Sequence, residues 1–122
     1  MINYLIVSAG AAIGGALRYW MSNFVYNFLP ANFAYGTLSV NFFGSLLLGF
    51  IMFGLDAKEL ISPQLKLFLT IGLCGGFTTF STFTFETFNL LKESQYLLAS
   101  LNILLNVFLC LAGIILANII SN

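Results

Sequence analysis

Long apolar runs, interrupted by a handful of charges, leave this chain few ways to fold. The charged residues are Arg18, Asp56, Lys58, Glu59, Lys66, Glu86, Lys92 and Glu93, four of each sign in 122 residues. Charged residues make up 7% of the chain and hydrophobic ones 60%, whereas a soluble domain is roughly 25% charged. The mean hydropathy is +1.00. Too few charges remain to cover a water-facing surface. This excludes a soluble globular protein, a disordered chain and a nucleic-acid binder. It predicts an all-α integral membrane protein with the lipid bilayer as its solvent.

A spanning helix needs about 20 mostly apolar residues. Four segments qualify: Ile2–Phe28, Tyr35–Leu55, Pro63–Leu91 and Tyr96–Ile120. The first ends before Leu29-Pro30, and the second at the polar stretch 56–59. The third opens on a proline, where a missing N–H is no loss. The N-terminal run lacks a positive leader and is too long for a signal peptide, so a retained helix is expected. Short loops make neighbouring helices antiparallel and put both termini on one side. Residues 1–122 are expected to form one four-helix transmembrane domain, multi-pass, with no linker.

Orientation is normally set by Lys and Arg in the loops. Here one side carries Lys58 and Lys66. The other carries Lys92, with Arg18 if that side chain snorkels the same way. So small a bias predicts dual topology, with copies inserted both ways. An antiparallel homodimer of such copies has the inverted symmetry that many transporters build from two halves of one chain. Histidine is absent, which removes histidine proton relays and histidine-based triads. Cys74 and Cys110 lie inside apolar runs and read as packing residues, not as a disulfide framework. No GxxxxGK[ST] phosphate loop is present, and no enzyme activity is expected.

The most informative stretch is GLCGGFTTFSTF, Gly72–Phe83. Gly75 and Gly76 each weaken a helix by roughly 1 kcal/mol. Thr78, Thr79 and Thr82 are β-branched, with hydroxyls that can bond freed backbone groups. A third helix broken mid-membrane is expected here, although small residues permitting close helix packing explain the composition equally well. Carbonyls released at such a break suit a cation, and the following helix N-terminus favours an anion. Phe80 and Phe83 share a helix face at i, i+3 spacing. Their ring edges are electropositive and can meet an anion without a fixed charge. Two polar stripes run at i, i+4, i+8: Thr37, Asn41 and Ser45, then Asn102, Asn106 and Cys110. Neutral donors in such a stripe suit either a weakly bound, dehydrating anion or hydrogen bonding between helices. Arg18 and Glu86 are the charges least easily placed in a loop. Glu86 lies about a turn beyond Phe83, where it can reach a pore entrance near Thr37. Such stripes serve water, ammonia or chloride as readily as any other small solute.

Together these motifs resemble the Fluc (CrcB) family of bacterial fluoride channels. The resemblance is carried by GGALRY at Gly14–Tyr19, GTLSVNFFGS at Gly36–Ser45 and GLCGGFTTFSTFTFE at Gly72–Glu86, and it covers essentially the whole chain. It implies a dual-topology antiparallel homodimer in the bacterial inner membrane, with fluoride pores along the subunit interface. It implies passive fluoride export and a central structural sodium ion (Na+) held by the backbone carbonyls of Gly75 and Thr78. The family's pore positions fall on Asn41, Phe80 and Phe83, with a polar track at Asn102, Asn106 and Cys110. The family often carries Tyr or Ser along that track. Thr37 and Glu86 match vestibule positions, Arg18 the first-helix arginine, and Ser81 and Thr82 hydroxyl positions beside the pore. A proton-coupled small multidrug transporter shares the size but needs a carboxylate in the first helix, and segment 2–28 has none. A non-transporting subunit of a larger complex has no use for the polar third segment.

Overall fold

The computed structural model describes residues 1–122. It consists of α1 (Ile2–Val25), α2 (Tyr35–Gly49) continuing as π-helix π1 (Phe50–Asp56), then α3 (Pro63–Leu67), π-helix π2 (Phe68–Cys74), α4 (Gly75–Phe77), α5 (Phe80–Lys92) and α6 (Tyr96–Ser121). Elements α3, π2 and α4 are the first half of the third apolar segment, and α5 is the second half.

Local chemistry explains the ends. Ser62 caps α3 by accepting the Leu65 N–H at 3.1 Å, with Pro63 in the first turn. Glu59 (φ 57°) and Ser94 (φ 61°) take left-handed conformations. Beyond each, an amide closes back on the helix it leaves: Leu60 N–H on Leu55 C=O at 2.9 Å, and Gln95 N–H on Leu90 C=O at 2.8 Å. These are C-terminal caps of the left-handed type. The first loop is pinned by the Tyr26 hydroxyl, which accepts the Gly36 N–H at 3.1 Å and donates to Phe33 C=O at 3.3 Å. Lys66 and Asp56 pair at 3.0 Å across the second loop. Both are partly exposed, so the pair contributes little to stability.

Three helical runs are long and apolar enough to cross a membrane: Tyr35–Asp56, Pro63–Lys92 and Tyr96–Ser121. Helix α1 has 24 residues and extends about 36 Å, but it is not among the three. Its hydropathy is lowered by Asn3, Ser8, Arg18, Ser22 and Asn23 and by the small residues of its packed face. The expectation of four apolar spans is therefore met in helix number and length, but not in the apolarity of α1.

The interior inverts the soluble pattern. Only 19 of 122 residues are buried, and the largest fully buried side chains are Val40 and Asn102. Large apolar side chains such as Phe85, Phe88, Phe108 and Ile119 face outward. Between helices the contacts are made by small residues, as expected where lipid removes the hydrophobic drive to bury large ones. Gly10 of α1 meets Gly72 of the third segment, Gly14 meets Leu73 and Phe77, and Gly76 meets Ala11. A Cβ on Gly14 would lie 2.2 Å from Leu73 O, and one on Gly76 2.6 Å from Ala11 O. On the other side, a Cβ on Gly49 would lie 2.6 Å from Ala117 Cβ where α2 packs against α6.

The third segment changes partners along its length. Its first half, through π2 and α4, packs on α1, while α5 packs on α6. Helix α2 touches both halves. The interruption between them does not fall on the glycine pair to which the sequence draws attention. Gly75 and Gly76 are helical, and extended backbone begins at Thr78 (φ −90°, ψ 162°) and continues through Thr79 (φ −151°, ψ 123°). Gly76 is small because α1 presses on it, whereas the two β-branched threonines suit extended backbone.

This packing separates two adjacent glycines. Gly14→Ala forces a methyl into the backbone of Leu73 and Phe77 and is expected to destabilise by about 3 kcal/mol. Gly15 has nothing within 4 Å of an added Cβ, so Gly15→Ala is expected to be neutral or to gain up to about 1 kcal/mol of helix propensity. Thermal unfolding in detergent, followed by size exclusion, reads both.

Candidate functional site

The site forms where the third segment loses its helical hydrogen bonds. In a continuous helix the Thr79 amide would bond Gly75 C=O. Here it donates to Asn41 Oδ1 at 2.8 Å, and Asn41 Nδ2 donates back to Thr79 C=O at 3.1 Å. One side-chain amide thus pairs both polar groups of the same residue. The Thr79 hydroxyl accepts the Thr82 N–H at 3.2 Å and starts α5. That takes away the amide that would close on Thr78 C=O, and this carbonyl accepts no hydrogen bond within the chain. The Thr78 amide and hydroxyl both donate to Cys74 C=O, each at 3.0 Å. The Thr78 methyl is seated on Gly44, where a Cβ would come within 2.2 Å of it.

From Asn41 the hydrogen bonds continue through the protein. Asn41 Nδ2 also donates to Asn106 Oδ1 at 3.0 Å. Asn106 Nδ2 donates to Asn102 C=O at 2.8 Å and Asn102 Oδ1 at 3.1 Å. Asn102 Nδ2 donates to the Thr87 hydroxyl at 2.9 Å, which donates to Phe83 C=O at 2.8 Å. The relay starts at Thr79, just before α5, and returns through α2 and α6 to Thr87 and Phe83 within α5. Of the two uses the sequence allows for these amides, the structure displays hydrogen bonding between helices. The Asn41 and Asn106 amides are both engaged by hydrogen bonds.

Beside the relay lies an open groove of about 390 Å³. Among its lining residues are Asn41, Ser45, Gly75, Thr78, Phe80, Phe83, Asn106 and Cys110, with Cys74. Eight residues from three separate motifs therefore converge. Phe80 is 74% exposed and Phe83 only 8%. Their rings meet edge to face, with centroids 5.3 Å apart and planes at 61°. Asn102 is fully buried behind the groove.

Other sequence candidates lie elsewhere. Ser81 and Thr82 do not line the groove, and their hydroxyls turn to Thr79 Oγ1, at 3.4 Å and 3.1 Å. Glu86 lines a second cavity of about 400 Å³ with Tyr26, Asn32, Asn89, Glu93 and Gln95, at the end of the molecule bearing the first and third loops. Its Oε1 is buried without a partner, and the buried Thr37 stands beside it. Arg18 lines neither space, and its Nε donates to Gly76 C=O at 3.0 Å. Sequence reasoning missed Thr87. Its signal was available, since Thr87 lies four residues beyond Phe83 on the same face of α5.

Residues 5–118 match the family model described as CrcB-like protein, Camphor Resistance (CrcB). Proteins named fluoride-specific ion channel FluC are similar over almost the full chain. The one from Geotalea daltonii is 44% identical over 111 residues, covering 91% of this chain and 90% of its own. That from Geobacter sulfurreducens is 45% identical over 113 residues, covering 93% and 91%. That from Methylocella silvestris is 38% identical over 122 residues, covering 98% and 93%.

The Thr79 pairing is testable by itself. Asn41→Ala strands the part-buried N–H and C=O of Thr79, each worth up to about 1–3 kcal/mol when unsatisfied. The expected loss is about 2–5 kcal/mol in thermal unfolding. Adding Asn106→Ala to it should cost less than the sum of the two single changes, because the two amides share a bond.

Proposed function

The chain belongs to the CrcB family, and from that premise we propose that it is a fluoride-selective channel exporting fluoride passively across the bacterial cytoplasmic membrane. The observation that carries this reading is the convergence of Asn41, Phe80, Phe83, Asn106 and Cys110 on one groove beside an interrupted helix. Relatives named for fluoride channels supply the ion. Fluoride enters cells as neutral HF, ionises at cytoplasmic pH and is trapped. A channel lets the membrane potential drive the anion out.

The chemistry suits a small, strongly hydrated anion. Neutral amides and ring edges offer partial positive charge without a fixed cation, so the ion is not held too tightly to leave. The amides of Asn41 and Asn106 are already paired. An entering ion therefore displaces a hydrogen bond instead of meeting bare donors, which weakens its binding further. Thr37 and Glu86 form the approach in this reading. Helix α1 completes a four-span bundle, with Gly10 and Gly14 buried against protein and Arg18 and Ser22 partly so. The Lys and Arg bias between the two sides is small, Lys58 and Lys66 against Lys92 and Arg18, which favours dual topology.

The groove is open along one flank and exposes Phe80. A second, antiparallel copy would close it, placing fluoride pathways along the interface of a homodimer. The backbone suits sodium at the centre of that dimer. Thr78 C=O has no hydrogen bond and Gly75 C=O has lost its helical donor to Asn41, so both are free as hard oxygen ligands. Two carbonyls are half a coordination shell, and the second copy supplies the other half. When bound, sodium would supply a fixed positive charge that lowers the barrier for an anion.

The deciding experiment uses liposomes loaded with potassium fluoride, with potassium chloride as the control, and a potassium ionophore to release the charge. Fast fluoride efflux with little chloride efflux is expected. Absence of both, from folded dimeric protein, would refute the channel. Phe80→Ile and Phe83→Ile are each expected to lower fluoride efflux at least tenfold while the dimer persists on size exclusion. Replacing sodium with N-methylglucamine throughout is expected to lower both the melting temperature and the efflux rate, and adding back sodium to restore them.

A further inference from the structure

We infer that Arg18 is a positioning residue for the interruption of the third segment, acting on its backbone and not on the transported ion. This rests on the site described above but not on which ion it passes. In an unbroken helix Gly76 C=O would accept the amide of Phe80. Thr78 and Thr79 are extended, so that amide starts a different helix with another direction and another packing partner. The carbonyl is left without its donor in a chain whose surroundings offer little water, where an unsatisfied backbone group is costly. Arg18 Nε fills the vacancy at 3.0 Å.

The reach is built into α1. Gly14 lies one helical turn before Arg18 and lets α1 press onto Leu73 O and Phe77 N with no room for a Cβ. The next turn therefore arrives at the carbonyl end of the helical run that closes with α4. A cation is favoured at such an end. No carboxylate pairs with Arg18, since the ion pair of this chain joins Lys66 and Asp56. Asn41 holds the far side of the interruption by pairing Thr79. The two side chains thus grip adjoining stretches of backbone from α1 and from α2, with Thr78 between them.

The test compares Arg18→Lys and Arg18→Gln with the wild type in lipid nanodiscs. Amide exchange is read by mass spectrometry for peptides covering 75–83, with α6 as internal reference. Lysine keeps the charge but lacks the Nε–H, and glutamine has a neutral donor on a shorter arm. Both variants are expected to exchange at least tenfold faster in 75–83, with α6 unchanged. Both are also expected to lose at least tenfold of fluoride efflux from liposomes. Wild-type exchange in Arg18→Lys would overturn the inference. So would equal acceleration in α6, which signals general loosening. Efflux kept in Arg18→Lys and lost only in Arg18→Gln would likewise overturn it, because charge alone would then suffice. Exchange is read without transport, so a wild type that passes no fluoride would strike the channel reading and leave this test intact.

Discussion

The peptide of Thr79 and the carboxamide of Asn41 form the contact on which the rest of the site depends. A helix that stops inside a membrane protein releases N–H and C=O groups, and hydrocarbon offers them nothing. Asn41 presents one acceptor and one spare donor at the spacing of a peptide, and takes both groups of Thr79. With that pairing the third segment can leave α1 and continue along α6. The Asn41 amide also binds Asn106, so the same side chain fixes the distance between α2 and α6. The groove beside Phe80 and Phe83 is a consequence of this redirection.

Packing follows the same constraint at larger scale. Lipid surrounds the molecule, so large apolar side chains gain nothing by turning inward, and backbones approach through glycine and alanine. Gly10, Gly14, Gly72 and Gly76 bring α1 against π2 and α4. Gly49 and Ala117 do the same for α2 and α6. These contacts leave no tolerance for a methyl group, so the backbone positions are defined closely. Side chains such as Arg18 and Thr78 then reach a particular carbonyl and a particular glycine. The two π-helical stretches, π1 and π2, lie in the half of the molecule that holds the second loop. Gly75 N–H, at the end of π2, reaches both Gly72 and Thr70 carbonyls.

Electrostatically, the groove itself holds no full charge, and Arg18 is engaged with the neighbouring Gly76 C=O. Four cations and four anions serve the whole chain, and none lines the groove. Amides, hydroxyls and aromatic rings, which bear only partial charges, line it instead. Their cooperation through the relay from Thr79 to Phe83 C=O means that moving one hydrogen bond disturbs its neighbours. The carboxylate of Glu86 is set apart, toward the loops, beside Thr37.

Charge sparsity and run length determined the class of protein, the helix count and nearly all the element boundaries, because lipid permits so few alternatives. The i, i+4 stripes and the Phe80/Phe83 spacing were legible for the same reason: helical periodicity places residues on a face whatever the face meets. Which residues of the Gly72–Phe83 stretch leave the helix was not legible. Two glycines signal a weak helix, but whether a glycine breaks a helix or admits a neighbour depends on what lies against it, and α1 lies against Gly76. The partners of Asn41, Asn102 and Asn106 were equally hidden, since a donor stripe looks the same whether it faces an ion or another amide. Arg18 ended on a backbone carbonyl 58 residues away, and only the crossing of α1 over α4 could bring them together. Sequence settled which residues share a helix face, a local property of the backbone. The tertiary structure decided which of those faces meet, because that depends on contacts between segments distant in the chain.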